Sequence, residues 1–143
     1  MSTITSANSV FTMTATGLFP VPVQIQGFAM DKAFLVENAD RSETKMGVDG
    51  KLSFGYVFTE RPVTISLQAD SASRDFFSIL DQATKTAREV IVVNGTLTLP
   101  STGESFTLNR GVLKSMKEFP DAQKTLQSVD YMLTFESIDR AVL

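Results

Sequence analysis

Apolar and polar residues alternate at every second position in several segments of the chain, and this is the period of a half-buried β-strand. The pattern is clearest in residues 62–69, where an apolar face and a polar face are both continuous. The apolar members are Val63, Ile65, Leu67 and Ala69, and the polar members are Thr64, Ser66 and Gln68. Similar or β-rich patterns occur in residues 10–14, 21–26, 28–37, 51–58, 90–99, 105–113 and 126–138. The sequence therefore predicts a mainly β protein.

Two prolines indicate where the strand at residues 21–26 lies in the predicted sheet. Pro20 and Pro22 have no backbone N–H to donate to a neighbouring strand. We therefore expect this part of the chain at a sheet edge or at a bulge, and not in the centre of the sheet.

A long hairpin is predicted around residues 28–58. Its arms are the β-rich residues 28–37 and 51–58, and its tip is the polar segment 38–50. Usual hairpin loops have about two to five residues, so this tip is unusually long. Because long loops often carry function, we expect the tip to do more than connect two strands.

One helix is predicted from about residue 71. Ser71 is the expected N-cap, and Asp75 lies near the positive end of the helix dipole. The apolar stripe of this helix consists of Phe76, Leu80, Ala83 and Ala87. Phe77 lies about 100° around the helix axis from Phe76. It is therefore a candidate contact with another subunit.

Together these elements predict one domain, residues 1–143, with a mainly antiparallel β-sandwich or β-barrel and one flanking α-helix. The length of 143 residues agrees with a single core, since domains cluster around ~100 to 150 residues. Residues 1–8 are small and polar, and we expect them to form a flexible N-terminal arm.

Composition excludes several classes of function. The chain has 13 Lys and Arg against 16 Asp and Glu, a net charge of −3, and it contains neither Cys nor His. A thiolate nucleophile, a disulfide, an imidazole base and the usual zinc ligands are therefore excluded. The slight acidity argues against a protein that binds nucleic acid or an anionic membrane. We expect no enzymatic activity, no metal and no cofactor.

The first 30 residues carry no charged side chain. A signal peptide needs a basic start and an unbroken apolar run, whereas Ser, Thr, Asn, Gln and Pro interrupt this segment. A spanning helix needs ~20 consecutive apolar residues, and no segment approaches that length. We therefore expect no membrane contact.

One segment of the predicted tip has part of the spacing of a calcium-binding EF-hand loop. Its oxygen-bearing residues at loop positions one, three, five and twelve are Asn38, Asp40, Ser42 and Asp49. Position six, where the sharp turn needs glycine, is Glu43, and no helices are predicted on either side. The spacing therefore does not predict a calcium site.

Two further patterns lack the surroundings that their chemistry needs. Ser42 and Lys45 form a Ser-x-x-Lys pair, but the Lys-Thr-Gly strand of serine acyl enzymes is missing. Carboxylate pairs, namely Asp31 with Glu37 and Asp70 with Asp75, could in principle supply an acid and a base. Surface carboxylates far outnumber catalytic pairs, so neither pair predicts a glycosidase.

The main basic concentration consists of Arg110, Lys114, Lys117 and Lys124, and it is diluted by Glu118 and Asp121. Three interpretations stay open: a solvated loop, contacts with acidic groups of a neighbouring subunit, or nucleic-acid binding. The last would want a stronger charge with aromatic residues interleaved.

The order of these elements resembles the tail-tube proteins of long-tailed, contractile bacteriophages. Five features carry the resemblance: Gly-Phe-Ala at residues 27–29, Glu-Asn-Ala-Asp at 37–40, Gly-Val-Asp-Gly at 47–50, the Thr- and Ser-containing strand at 63–69 and the helix start at 71–77. None is specific alone, but their order and the chain length agree with this family over most of the chain.

The resemblance implies a β-barrel-like structural subunit that forms homohexameric rings stacked into a hollow inner tube. DNA would pass through the lumen during ejection without specific binding. The implied partners are further copies of the chain and the tail sheath, tape measure, baseplate and tail terminator proteins, in a virion assembled in the host cytoplasm.

Two groups of residues receive roles on this basis. The polar side chains expected on the lumen wall are Lys51, Ser53, Thr64, Ser66 and Gln68. The charged side chains expected between subunits or stacked rings are Asp40, Arg41, Glu43, Lys45, Asp49, Arg110, Lys114 and Lys117.

Two other classes of protein remain as alternatives. A tube subunit of a bacteriocin, a secretion-system particle or a non-contractile tail would share the same physics. A small-ligand β-barrel of lipocalin type would instead bind a lipophile as a monomer.

Overall fold

The alternating segments of the sequence form antiparallel strands in the computed structural model, which describes residues 9–29 and 33–142. The strands are β1 (Val10–Ala15), β2 (Phe19–Ile25), β3 (Phe34–Val36), β4 (Ser42–Met46), β5 (Leu52–Tyr56), β6 (Arg61–Leu67), β7 (Val93–Leu99), β8 (Glu104–Met116) and β9 (Val129–Val142), and the helix is α1 (Arg74–Ala87). The predicted flexible arm, residues 1–8, lies outside the described residues. The turn between β7 and β8 falls at residues 100–103, as predicted, with Gly103 at a φ of 71°.

Seven strands form one antiparallel sheet in the order β2-β1-β7-β8-β9-β6-β3. The sheet is strongly curled. The evidence is that the rings of Phe11 in β1 and Phe34 in β3 lie only 6.1 Å apart, although these strands are close to opposite edges of the sheet. The fold is thus mainly antiparallel β with one helix, and this prediction is confirmed.

Inward-facing residues at every second strand position build the core. In β6 they are Val63, Ile65 and Leu67, and in β9 they are Val129, Tyr131, Leu133 and Phe135, all of them buried. The predicted apolar faces of these strands are therefore confirmed.

The helix packs on this core more deeply than predicted. Phe76 and Leu80 are buried as expected, but Phe77 is fully buried as well. Its ring stacks on Tyr131 at a centroid distance of 4.2 Å. The prediction that Phe77 contacts another subunit is therefore wrong. The curled sheet covers a wider face of the helix than the single apolar stripe predicted from the sequence. Ile79, two residues further along the helix, is exposed instead.

The start of the helix also differs from the prediction. The N-cap residue is Ser73, and Ser71 lies in the preceding turn. The Ser71 hydroxyl donates to the Gln26 carbonyl oxygen at 2.6 Å and accepts from the Ser73 N–H at 3.2 Å. Ser71 thus ties the helix entry to the end of β2 instead of capping the helix.

Strand β2 lies at an edge of the sheet, as Pro20 and Pro22 predicted. Its pairing with β1 shifts register between Met13 and Ala15. Both proposed features of this segment, edge and bulge, therefore occur together.

The predicted hairpin has different boundaries and different partners. Strand β3 pairs with β6, whereas β5 pairs with β4, which lies inside the predicted tip. The turn is short, because the Gly47 N–H donates to the Lys51 carbonyl oxygen at 2.8 Å and Gly50 has a φ of 82°. The tip at 38–50 is therefore not one long loop. Residues 42–46 of this tip form a strand although they are mostly polar, because β4 pairs with β5 and has no buried face that would require apolar residues.

Candidate assembly surfaces

Strands β4 and β5 form a two-stranded ribbon, residues 42–56, that is separate from the seven-stranded sheet. Every residue of both strands is exposed. The register pairs Met46 with Leu52 and Thr44 with Phe54. Because neighbours in register share a face, one face of the ribbon is largely apolar.

The apolar ribbon face consists of Met46, Leu52, Phe54 and Tyr56. Phe54 is 78% exposed and Tyr56 is 73% exposed. The face continues to Phe58, which is 90% exposed and meets Tyr56 edge to face at 4.9 Å. The period of two in residues 51–58 places Leu52, Phe54, Tyr56 and Phe58 on one face but does not show whether that face is covered. Their exposure is the signal that only the fold supplies.

Charged residues of the ribbon lie on its other face and at its ends. Along β4, the side chains of Glu43 and Lys45 lie on the face opposite the apolar one. The Asp49 carboxylate accepts the Lys51 N–H at 3.2 Å and so holds the turn. At the base, the Asp40 carbonyl oxygen accepts the Thr59 hydroxyl at 3.0 Å. Thus Asp40 and Asp49 contribute to the ribbon's own geometry.

The residues predicted to line a lumen are not brought together. Thr64, Ser66 and Gln68 lie on or beside β6, whereas Lys51 and Ser53 belong to the separate ribbon. Ser66 is fully buried, and its hydroxyl donates to the Asp130 carboxylate. Its assignment to a lumen wall is therefore wrong, because a covered side chain with a partner inside the chain presents nothing to a channel. Thr64 and Gln68 stay predictions.

The basic residues of β8 and its end each have an acidic partner in the same chain. Arg110 lies 3.6 Å from Glu136, and Lys114 lies 3.8 Å from Glu60. These exposed pairs are weak.

Lys117 has the shortest of these contacts, donating to Asp121 at 2.8 Å. This hydrogen bond raises the pKa of Lys117 above its usual value. This contact joins the first residue of the β8–β9 loop to a residue four positions further along the same loop. A role of these cations between subunits stays a prediction.

The segments with partial catalytic or metal-binding spacing do not form a site. Among the described residues, no group of three or more acidic side chains could hold a metal ion. Ser42 and Lys45 are three positions apart in β4, so their side chains lie on opposite faces. Asp31 lies outside the described residues. Within the described part of the chain, no helix is long and apolar enough to cross a membrane.

Several solved structures share this fold. A chain of the anti-feeding prophage baseplate, solved with 6-fold symmetry, has a TM-score of 0.62 and 11% identity and covers 99% of this chain and 98% of its own. A chain of the anti-feeding prophage tube-terminating cap has a TM-score of 0.55 and 8% identity, covering 100% and 93%. A chain of the extended sheath–tube complex of an extracellular contractile injection system, PVC, has a TM-score of 0.54 and 9% identity, covering 93% and 88%. At these identities the likeness shows a common fold.

Sequence comparison gives a more specific result. No curated protein sequence matches the chain. The family model for tail fiber protein gp32, however, matches residues 2–139. The resemblance to phage tail proteins inferred from the sequence agrees with this match. Because the match spans nearly the whole length, the chain belongs to the tail fiber protein gp32 family.

Proposed function

We propose that this chain is a non-catalytic structural subunit that assembles with copies of itself into stacked hexameric rings, forming the inner tube of a contractile tail. The observation that carries the proposal is the exposed apolar ribbon face. An isolated two-stranded hairpin is at best marginally stable in water. A ribbon that also exposes two aromatic rings and two aliphatic side chains therefore needs a protein partner.

A further copy of the chain is the partner proposed for this ribbon. Glu43 and Lys45 lie on the opposite face of β4, so the apolar face itself carries no charged side chain, as is typical of the core of a protein interface. The likeness to chains of a six-fold baseplate and of a sheath–tube complex supports a ring-forming role, and family membership supports a structural role in a phage tail. A bacteriocin or secretion particle would use the same contacts.

In this proposal the tail sheath, tape measure, baseplate and terminator proteins are the other partners, and the particle is a virion. The lumen conducts DNA without binding it. The net charge of −3 supports this part, because phosphate binding depends on clustered cations that release counterions. The absence of His and Cys supports a structural role over a catalytic one.

The proposal is tested by assembly of the pure chain. Negative-stain microscopy and sedimentation velocity of the concentrated protein should show rings or tubes. The double variant Phe54→Ser, Tyr56→Ser should remain monomeric and folded, because both side chains are already exposed in the free chain. The matched control is Glu43→Gln, Lys45→Gln, which alters the opposite face and should still assemble. A wild-type protein that stays monomeric at every concentration contradicts the proposed function.

Hydrogen exchange supplies a second measurement on the same particles. We expect amides of residues 42–56 to exchange fast in the free chain, because both strands are fully exposed. They should become protected in tubes. Equal protection in both states would show that the ribbon takes no part in assembly.

A further inference from the structure

One end of the curled sheet encloses an apolar cavity of about 410 Å³. Its walls are side chains of β1, β3, β6, β7, β8 and β9, together with Arg41. The apolar members include Phe11, Phe34, Leu97, Leu99, Phe106 and Leu108. A cavity of this size accommodates a large side chain from another molecule.

Three arginine side chains line this cavity, and within the described part of the chain Arg61 has no ion-pair partner. Arg41, Arg61 and Arg140 line it. Arg140 pairs with Glu104. The Nε and Nη1 atoms of Arg61 are buried and, among the described residues, have no hydrogen-bond partner. Because these two atoms are covered, a group from another molecule can reach Arg61 only through the rest of its guanidinium at the cavity wall. The cavity therefore suits an apolar group that comes with a carboxylate.

The carboxylates closest to this region do not meet that need. Glu136 and Asp139 line a neighbouring groove together with Arg61. Within the described part of the chain, Arg61 has no ion pair with either of them, and Glu136 pairs with Arg110 instead. Among residues 9–29 and 33–142, no carboxylate therefore accepts from Arg61, and a neighbouring copy of the chain could supply one.

The loop between β8 and β9 carries the complementary groups. Phe119 is 74% exposed and follows Glu118 directly in sequence. The Glu118 carboxylate has a contact of 3.8 Å with Lys85, at the outer limit of an ion pair, and is 65% exposed. The loop holds its shape, since the Gln127 N–H donates to the Asp121 carbonyl oxygen at 2.9 Å. It presents an aromatic ring beside a carboxylate.

The loop and the cavity lie at opposite ends of the subunit. Strands β8 and β9 pair from Glu104 with Val142 at the cavity end to Met116 with Tyr131 at the loop end. Arg61 pairs with Phe135, which pairs with Gly111, five positions before the end of β8, so at about 3.3 Å per residue Arg61 lies roughly 17 Å along the sheet from the start of the loop. One chain cannot fill its own cavity with its own loop, but a second copy can.

From this arrangement we infer that the Glu118-Phe119 loop of one copy docks into the cavity of the next, with the Phe119 ring in the apolar cavity and the Glu118 carboxylate on Arg61. The contact joins two different surfaces, so it repeats head to tail and does not close on itself. The inference rests on the proposed self-assembly and specifies which surfaces join successive rings. The ribbon emerges between β3 and β6, on the cavity side, and so extends towards the same neighbour.

The test uses two full-length variants, each blocked at one end. Arg61→Glu reverses the charge at the cavity, and the double variant Glu118→Gln, Phe119→Ala removes the loop's contact groups. Each alone should raise the critical concentration for tube growth at least about tenfold, as expected for a buried aromatic and arginine contact. Circular dichroism and thermal unfolding establish that both are folded, and Arg61→Gln replaces Arg61→Glu if the latter is not.

Mixing the two variants gives the decisive result. The intact loop of the first fits the intact cavity of the second, so the mixture should form pairs of rings that do not elongate. The charge-swapped chain Arg61→Glu, Glu118→Arg should recover elongation. The matched control is Glu89→Arg, Val90→Ala, which alters an exposed pair of similar chemistry after α1 and should elongate normally.

The outcomes separate the inference from the proposed function. Single variants that elongate like the wild type overturn the docking contact while ring formation stands. Variants that fail alone but also fail to pair in the mixture overturn it as well. A wild type that never assembles overturns both.

Discussion

Replacement of Gly111 by alanine should destabilise the free subunit through a single methyl group. A Cβ atom at Gly111 would lie 2.3 Å from Cδ1 and 2.6 Å from Cε1 of Phe135, its cross-strand partner. Carbon atoms pack at about 3.5–4.0 Å, so the ring must withdraw by roughly 1 Å. Phe135 is 1% exposed and sits in a close-packed core that has no room for this shift.

The magnitude follows from two opposing terms. Overpacking of a core commonly costs about 1–3 kcal/mol. Loss of glycine's freedom in the unfolded chain returns about 0.4–1 kcal/mol. We therefore expect Gly111→Ala to lower the free energy of unfolding by about 1–2 kcal/mol, measured by urea denaturation of the dilute monomer with circular dichroism.

Two controls make the result specific. Gly55 in β5 has nothing within 4 Å of its added Cβ, so Gly55→Ala should leave stability unchanged or slightly higher. Phe135→Leu should relieve the clash, so that the double variant with Gly111→Ala loses less than the sum of the single losses. A Gly111→Ala protein within about 0.5 kcal/mol of the wild type would refute the packing argument.

Three further predictions concern charge, a buried hydroxyl and metal ions. A hydrogen bond from Arg140 lowers the pKa of Glu104 below its ordinary 4.5, so this carboxylate's stabilisation is present above pH 4.5 and is lost as the pH falls through the lowered value. Glu104→Gln should flatten that part of the stability profile, and a profile as steep as the wild type's would contradict the assignment. Ser66→Ala should cost about 1–2 kcal/mol in urea denaturation, because it removes the hydroxyl bound to Asp130; no loss would mean that the hydroxyl is dispensable. Calorimetry with calcium or magnesium should show no saturable binding, since residues 38–49 lack the EF-hand glycine; a stoichiometric site would contradict this.

The strands that could be predicted are those with one buried face. Val63, Ile65 and Leu67 face the core, and apolar residues at every second position leave a period of two in the sequence. Residues 42–46 form an equally regular strand without that signal, because both faces of the ribbon are exposed. The polar composition of residues 42–46 is typical of a loop, although their backbone is paired with β5.

The candidate site depended on information that periodicity does not contain. The pattern placed Ser66 opposite the core face, but it could not show that this second face is covered or that Asp130 is the partner. Strand pairing was equally invisible, so Lys51 and Ser53 were joined to the wrong neighbour. The Arg61 cavity exists only because the sheet curls and brings β1 and β3 together. Composition, in contrast, excludes imidazole and thiol chemistry directly, because the sequence contains neither His nor Cys.

The edge strand β2 affects whether free subunits aggregate through their strand edges at high concentration. Pro20 and Pro22 remove two backbone donors from a strand whose outer side has no partner strand in the described sheet. At the other edge, β3 offers only three residues. Uncontrolled strand-to-strand aggregation therefore has little template at either edge. In free subunits the seven-stranded sheet therefore resists growth by strand addition, which leaves the β4–β5 ribbon as the part of the described fold with open strand edges on both sides.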